Sequence, residues 1–173
     1  MKKFELTTNT KMFLGKKLFQ IKALINFGDV EAGELGGYIE KEENLDYDGD
    51  AWVYGNACVS GNACVYGNAC VSGNARVSGN ARVTDNARVS GDAWVSDNAC
   101  YTTIKGFGRE YRTTTFFKCK DGKVRVQCGC FYGDLEEFRA IVKKTHGESK
   151  KAKEYLMIAD LMELHFEENE NDK

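Results

Sequence analysis

The side chains of this 173-residue chain best suited to covalent or metal chemistry are its seven cysteines and two histidines. Cys58, Cys64 and Cys70 recur at intervals of six residues, and Cys119, Cys128 and Cys130 form a second group. Thiolates together with an imidazole are the donors of tetrahedral zinc sites, so Cys119, Cys128, Cys130 and His146 are the candidate metal ligands. The C-x-C spacing of Cys128 and Cys130 departs from the C-x-x-C knuckle of such sites. Thiols packed into a small hairpin and helix core are the preferred reading of the group, and no metal is expected. Both histidines, His146 and His165, lie in the C-terminal part of the chain, where they read as a helix-end and a helix-surface residue rather than as general bases. The sequence holds no G-x-S-x-G, P-loop or H-E-x-x-H motif. A second kind of chemistry is recognition. Arg76, Arg82 and Arg88 are guanidinium groups suited to phosphate or carboxylate. Trp52, Tyr54, Tyr66 and Trp94 are the aromatic types that concentrate with arginine in protein contacts, and Arg109 and Arg112 follow further along.

Most of these residues belong to one repeat. Residues 47–100 run as nine six-residue units of the form V-x-G-N-A-x. The first position is apolar from Tyr47 and Val53 through to Val95, and the fifth is alanine from Ala51 through to Ala99. Alanine and the following valine are two residues apart, so both point to the same face of an extended strand. The Gly-Asn, Asp-Asn and Gly-Asp steps tolerate positive φ and let the chain bend once per unit. A four-residue strand and a bend can be neither a helix nor a long strand. It fits a coil with one short strand per side, and the unbroken Val/Ala phase is more order than a disordered tract needs.

This pattern resembles the left-handed parallel β-helix of hexapeptide-repeat proteins. The resemblance implies that three hexads make a triangular coil of eighteen residues with valine inside and the small residue at the corner. It also implies the handedness, and trimers with parallel axes. The fold expected is therefore mainly β with a small α appendage: residues 1–40 as capping strands and loop, 41–106 as the solenoid, 107–133 as a β-hairpin, 134–168 as two helices and 169–173 as a frayed tail. KEENLD (41–46) and YTTIKG (101–106) read as degraded hexads at the two ends.

With eighteen residues per coil, the outward sixth positions stack as Cys58–Arg76–Trp94, Cys64–Arg82–Cys100 and Trp52–Cys70–Arg88. Cys58, Cys64 and Cys70 then fall on different sides, so they converge on neither a metal ion nor a disulfide. Arg76, Arg82 and Arg88 form a belt around one coil. The second positions, Tyr54 and Tyr66 among them, are expected to lie outward as well.

Composition narrows the setting. The net charge is −2, which gives no sign of general nucleic-acid binding. No stretch approaches membrane-spanning length. An odd number of cysteines without an apolar N-terminal signal segment implies a reducing cytoplasm. Residues 1–27 carry six lysines and one acidic residue, whereas 28–50 carry nine acidic residues and one lysine. Two short strands are expected in 1–27 around Gly15-Lys16, with Ile39 and Leu45 as the first inward residues. Asp121-Gly122 marks a hairpin. Asp134 caps a first helix carrying Leu135, Phe138, Ile141 and Val142 on its apolar side, and Ser149 opens a second helix.

Hexapeptide acyltransferases that use coenzyme A resemble this repeat, yet they generally need a histidine base in or beside the coils and a loop over the cleft; neither is present here. GELGG before the repeat and GCFYGDLEEF…THG after it resemble small uncharacterised bacteriophage and prophage proteins. The expectation is a non-enzymatic homo-oligomer, trimeric and without cofactor, in the cytoplasm of an infected or lysogenic bacterium. It would contact a host or phage protein, for instance to block a defence enzyme. Two alternatives stand beside it: a binder or sponge of a small anionic ligand such as a signalling nucleotide, and a degenerate acyl or nucleotidyl-sugar transferase.

Overall fold

The computed structural model describes residues 2–108 and 110–167. They fall into two compact units that divide between residues 98 and 99.

The first unit opens with an antiparallel hairpin, β1 (Phe4–Phe13) and β2 (Lys16–Ala23), and β2 pairs antiparallel with β3 (Leu35–Ile39). Eight two-residue strands follow: β4 (Trp52–Val53), β5 (Cys58–Val59), β6 (Cys64–Val65), β7 (Cys70–Val71), β8 (Arg76–Val77), β9 (Arg82–Val83), β10 (Arg88–Val89) and β11 (Trp94–Val95). The first five of these, β4 to β8, each pair in parallel with the strand eighteen residues on, Trp52 with Cys70 and Cys70 with Arg88, Cys58 with Arg76 and Arg76 with Trp94, Cys64 with Arg82. This is a beta-solenoid of about three turns with three sides: β3-β5-β8-β11, β4-β7-β10, and β6-β9 with Leu45 bridged to Val65.

Inside, Val53 through Val95 and Ala51 through Ala93 form a column of valines and alanines at 0–1 % exposure. Burying a valine stabilises by about 1.5–3 kcal/mol, so the column is the main apolar core of this unit. Ile39 and Leu45 are the first inward residues, as their spacing predicts. The ends differ from the sequence expectation. Tyr47 is only half-buried, stacked 4.8 Å from the Phe4 ring. In the last hexad Val95 is buried, but Asn98–Cys100 is a 3-10 turn and Ala99 is exposed. The column Cys64–Arg82 therefore does not extend to Cys100.

Glycine makes the corners. Gly79 sits at φ +60, and a Cβ there would lie 2.2 Å from the Ser96 carbonyl oxygen of the next coil. Asp85 takes the same left-handed conformation, φ 59, without being glycine. The amide ladder is reinforced outside by stacked side chains, with Asn62 Nδ2 donating to Asn80 Oδ1 (3.2 Å) and Asn74 Nδ2 to Asp92 Oδ1 (3.3 Å).

A parallel stack leaves unpaired backbone at its ends, and polar side chains cover the first coil. Lys3 Nζ, 1 % exposed as a residue, donates to the carbonyls of Gly49 (3.3 Å) and Ala51 (3.0 Å). Asn44 Nδ2 donates to those of Gly61 (3.1 Å) and Ala63 (2.7 Å). Glu40 Oε2 accepts from Lys16 Nζ (2.8 Å) and from the Gly61 amide (2.6 Å). Burial draws the Lys3 ammonium below its ordinary pKa, against the pull of Asp46, Asp50 and Asp48.

The second unit is an antiparallel sheet, β12 (Tyr101–Ile104), β13 (Thr114–Lys118), β14 (Val124–Cys128) and β15 (Phe131–Asp134), followed by α1 (Leu135–His146) and α2 (Lys150–Phe166). Tyr101–Ile104, expected as a degraded hexad, instead pairs antiparallel with β13. It has lost the inward alanine and corner glycine of the repeat, and an extended Tyr-Thr-Thr-Ile run suits a sheet. The expected hairpin is thus the middle of four strands. Asp134 accepts from the Glu137 amide and Ser149 from the Ala152 amide, so both predicted helix caps are present. Phe116 and Val126 of the sheet pack against Leu135, Phe138 and Val142 of α1 and Tyr155, Ala159 and Met162 of α2. Ile141, expected on the apolar side of α1, is 37 % exposed.

Two substitutions separate corner packing from corner conformation. Gly55→Ala meets open space at φ +58 and should cost about 1–2 kcal/mol. Gly79→Ala should cost about 3 kcal/mol or more, because overpacking against the next coil adds to the same conformational term. Urea unfolding measures both, and equal losses would show that the coils do not press on each other at the corner. A second test uses pH. Lys16 and the Gly61 amide hold the Glu40 carboxyl below its ordinary value of 4.5. A depressed folded-state pKa gives stability that is present above the unfolded value and lost as pH falls through the folded one. Glu40→Gln should therefore remove about 1 kcal/mol or less at neutral pH and flatten the acid limb of a stability-against-pH curve below 4.5.

Candidate functional site

The eighteen-residue register places Arg76, Arg82 and Arg88 on three different sides, in β8, β9 and β10. They encircle the solenoid but do not converge on one ligand. Each meets different surroundings. The distal half of the β1–β2 hairpin lies against the β3-β5-β8 side. Lys11 Nζ donates to the Asn56 carbonyl (2.8 Å) and sits 4.0 Å from the Tyr38 ring centroid, and the Arg76 guanidinium stands 5.0 Å from the Phe13 centroid. Arg76 is thus engaged by its own chain, and Cys58 and Ser60 beside it are buried. Arg82, on the side of β6 and β9, is exposed and shares that side with half-buried Cys64 and Tyr66.

Trp52 is not an outward contact residue. It is fully buried, with the Phe4 and Phe27 rings edge-on at 6.3 and 5.3 Å, and its indole Nε1 has no hydrogen-bond partner. The N-terminal strand and the loop after β2 cover that side at the first coil. The hexad phase alone does not reveal such a cover. Trp94, in the phase of β5 and β8, does lie outward, 40 % exposed.

Where that loop meets the solenoid, a cavity of about 510 Å³ opens over the β4-β7-β10 side. Tyr54, Cys70 and Arg88 line it from the coils, with Asp50, Asn68 and Asn86 in register at the corner and Gly28 and Asp29 contributed by the loop. Tyr54 and Arg88 are thereby brought together, whereas Tyr66 and Trp94 are not among its lining residues. Asp29 is the charged member that the repeat does not predict; the run of acidic residues over 28–50 is its only trace in the sequence. Burial pushes the Tyr54 phenol above its usual pKa, with the charges of Cys70, Glu34 and Asp29 adding to it and Arg88 opposing. Burial also raises the Cys70 thiol, and Arg88 offsets that only in part. A thiol held protonated is a poor nucleophile. Two carboxylates face one guanidinium in this cavity, a balance that favours polar neutral or cationic groups over anions.

The second unit separates the candidate metal ligands. Cys119 is buried beside the β13–β14 turn, where its amide donates to the Lys123 carbonyl (2.9 Å). Cys128 stands at the other end of β14, where Thr114 Oγ1 donates to its sulfur (3.2 Å). A five-residue strand puts on the order of 13 Å between those ends. Cys130 is exposed, and the His146 ring stacks 5.9 Å from Tyr155. Among the described residues no group of three or more His, Cys, Asp or Glu side chains is placed to hold a metal. The Tyr155 phenol is pushed up to about 12 by burial and by Cys128 and Glu154, against Arg112. Arg112 itself is exposed beside Gly129, where a Cβ would come 2.7 Å from its guanidinium. Arg109 lies outside the described residues. Among those residues no helix is long and apolar enough to cross a membrane.

A family model described as the YdcK beta solenoid repeat matches residues 75–87 and 81–97. The match covers part of the repeat and supports a beta-solenoid. No curated protein matches the chain.

Thiol accessibility tests this arrangement. With a maleimide at neutral pH, exposed Cys130 should react first, while buried Cys58 and Cys119 and the raised thiol of Cys70 react several-fold more slowly. Peptide mapping of the labelled chain reads the order. Cys70 reacting as fast as Cys130 would contradict a protonated thiol in the cavity wall.

Proposed function

We propose that this chain is a non-enzymatic binding and assembly protein, phage-encoded, whose solenoid holds a contact surface rigid against a host protein such as a defence enzyme. The observation that carries the reading is the tip of the β1–β2 hairpin. Leu14 is 69 % exposed at φ 47, and Met12 beside it is 68 % exposed. An apolar residue in the left-handed region of an exposed turn costs the isolated chain on two counts, conformation and hydration. Glycine or asparagine would remove both. The hairpin is anchored behind this tip by Lys11, Phe13 and Lys16, so the surface is presented rather than loose. The hexad period with inward valine and alanine supports a left-handed coil of the hexapeptide-repeat kind. The side of Cys64, Tyr66 and Arg82 is the one suited to packing such coils side by side in a trimer. The cavity at Tyr54 and Arg88 favours a second reading, a small-ligand binder, although Asp29 and Asp50 argue for a ligand that is not anionic.

Cross-linking through lysine in bacterial extract, with the tagged full chain as bait, should join Lys11, Lys16 or Lys17 to one host protein. Met12→Asp with Leu14→Asp should abolish those cross-links and leave the circular dichroism spectrum unchanged. Cross-links that survive the double variant would overturn the assignment of the tip. Native mass spectrometry of the same preparation should show multiples of 19.3 kDa without a discrete small adduct; such an adduct would transfer the reading to the cavity.

A further inference from the structure

Helix α2 has two apolar faces. Tyr155, Ile158, Ala159, Met162 and Phe166 are buried against α1 and the sheet. On the opposite side, Met157, Leu161 and Leu164 follow one another at spacings of four and three and are 71, 54 and 63 % exposed. Those spacings put all three on one stripe of the helix. This stripe lies on the second unit and is independent of the hairpin tip.

The charges along the helix select what covers it. The N-terminal turns carry Lys150, Lys151 and Lys153, with Glu154 paired to Lys150, and the C-terminal turns and cap carry Asp160, Glu163 and Glu167 beside His165. A helix that is basic at one end and acidic at the other is complementary to a copy of itself running the opposite way, and repelled by a copy running the same way. Antiparallel packing also opposes the two helix dipoles favourably. A two-fold interface requires such self-complementarity, with each contact made twice. In the register where Met157 of one copy meets Leu161 of the other, Leu164 meets the stem of Glu154, and Lys153 lies across from Glu167. Asp160 approaches its own symmetry mate in that register, and its charge is already met by Arg139 at 2.8 Å within each copy. We infer that the exposed stripe of α2 is a two-fold interface on which a second copy of this chain docks antiparallel.

Native mass spectrometry and analytical ultracentrifugation of the full chain test this. The wild-type chain should dimerise reversibly, and a single helix pair is small enough that chain concentrations up to on the order of 100 μM are needed to see it fully. Leu161→Glu should weaken the association by at least about tenfold. Lys153→Glu and Glu167→Lys should each weaken it, and the chain carrying both should recover the dimer, because each contact re-forms with its signs reversed. All three positions tested are at the surface, so circular dichroism should be unchanged. A wild-type chain that stays monomeric throughout, an oligomer that Leu161→Glu leaves intact, or a double variant that fails to recover would each overturn the inference. If the solenoid also assembles as a trimer, Leu161→Glu should reduce the assembly to that trimer and no further. The hairpin-tip double variant should leave the dimer untouched, which separates this interface from host-protein contact.

Discussion

Register between coils is the constraint on which the first unit rests. Each of the strands β4 to β11 is two residues long, so none is stable by its own pairing. Stability comes from amides that reach the carbonyl of the next turn, such as Cys58 N to Ala75 O at 2.9 Å and Cys64 N to Ala81 O at 3.0 Å. Keeping that match over successive turns demands the same path length each time. Hence the glycine at nearly every corner, the alanine that lets the backbone close, and the valine that fills the centre. It also explains the polar side chains that finish the first turn. Lys3, Asn44 and Glu40 answer backbone groups that no further coil supplies. Leaving such groups buried without partners would cost about 1–3 kcal/mol each.

The same periodicity determines what was legible in the sequence. Every inward valine and the first eight inward alanines follow from the hexad phase, as do the three sides that keep Cys58, Cys64 and Cys70 apart. The helices were legible for a different reason: Asp134 and Ser149 are local signals that act within one turn. What the sequence did not reveal is non-local. Trp52 occupies an outward position and is buried because Phe4 and Phe27, far from it in the chain, lie over it. Asp29 reaches the cavity of Tyr54 and Arg88 through a loop that has no period. At the other end, Ala99 keeps the hexad identity after the hexad geometry has given way to a 3-10 turn.

The distribution of reactive groups bears on function. A solenoid spreads equivalent positions around its axis, so a repeat of like residues gives a belt and not a cluster. Arginines on separate sides and thiols on separate sides follow from the architecture itself. Concentrated chemistry arises only where something outside the repeat folds back on it, as the loop carrying Gly28 and Asp29 does. The second unit presents a contrast: there Met157, Leu161 and Leu164 line up on one helix face, while the cysteines are dispersed along the sheet.

The three-sided register has a consequence for how such a gene can change in length. Loss of one six-residue unit would leave every remaining valine facing inward, so the core would hardly register the event. Yet every later side chain would move to the neighbouring side: Arg82 would stand in the column of Cys58, and Trp94 in that of Cys70. Only losses or gains of three units restore the original surface. Folding therefore tolerates lengths in steps of six, whereas any partner that reads one side tolerates them in steps of eighteen, and the gap between those two periods offers a route by which recombination within the repeat can alter recognition while sparing the fold.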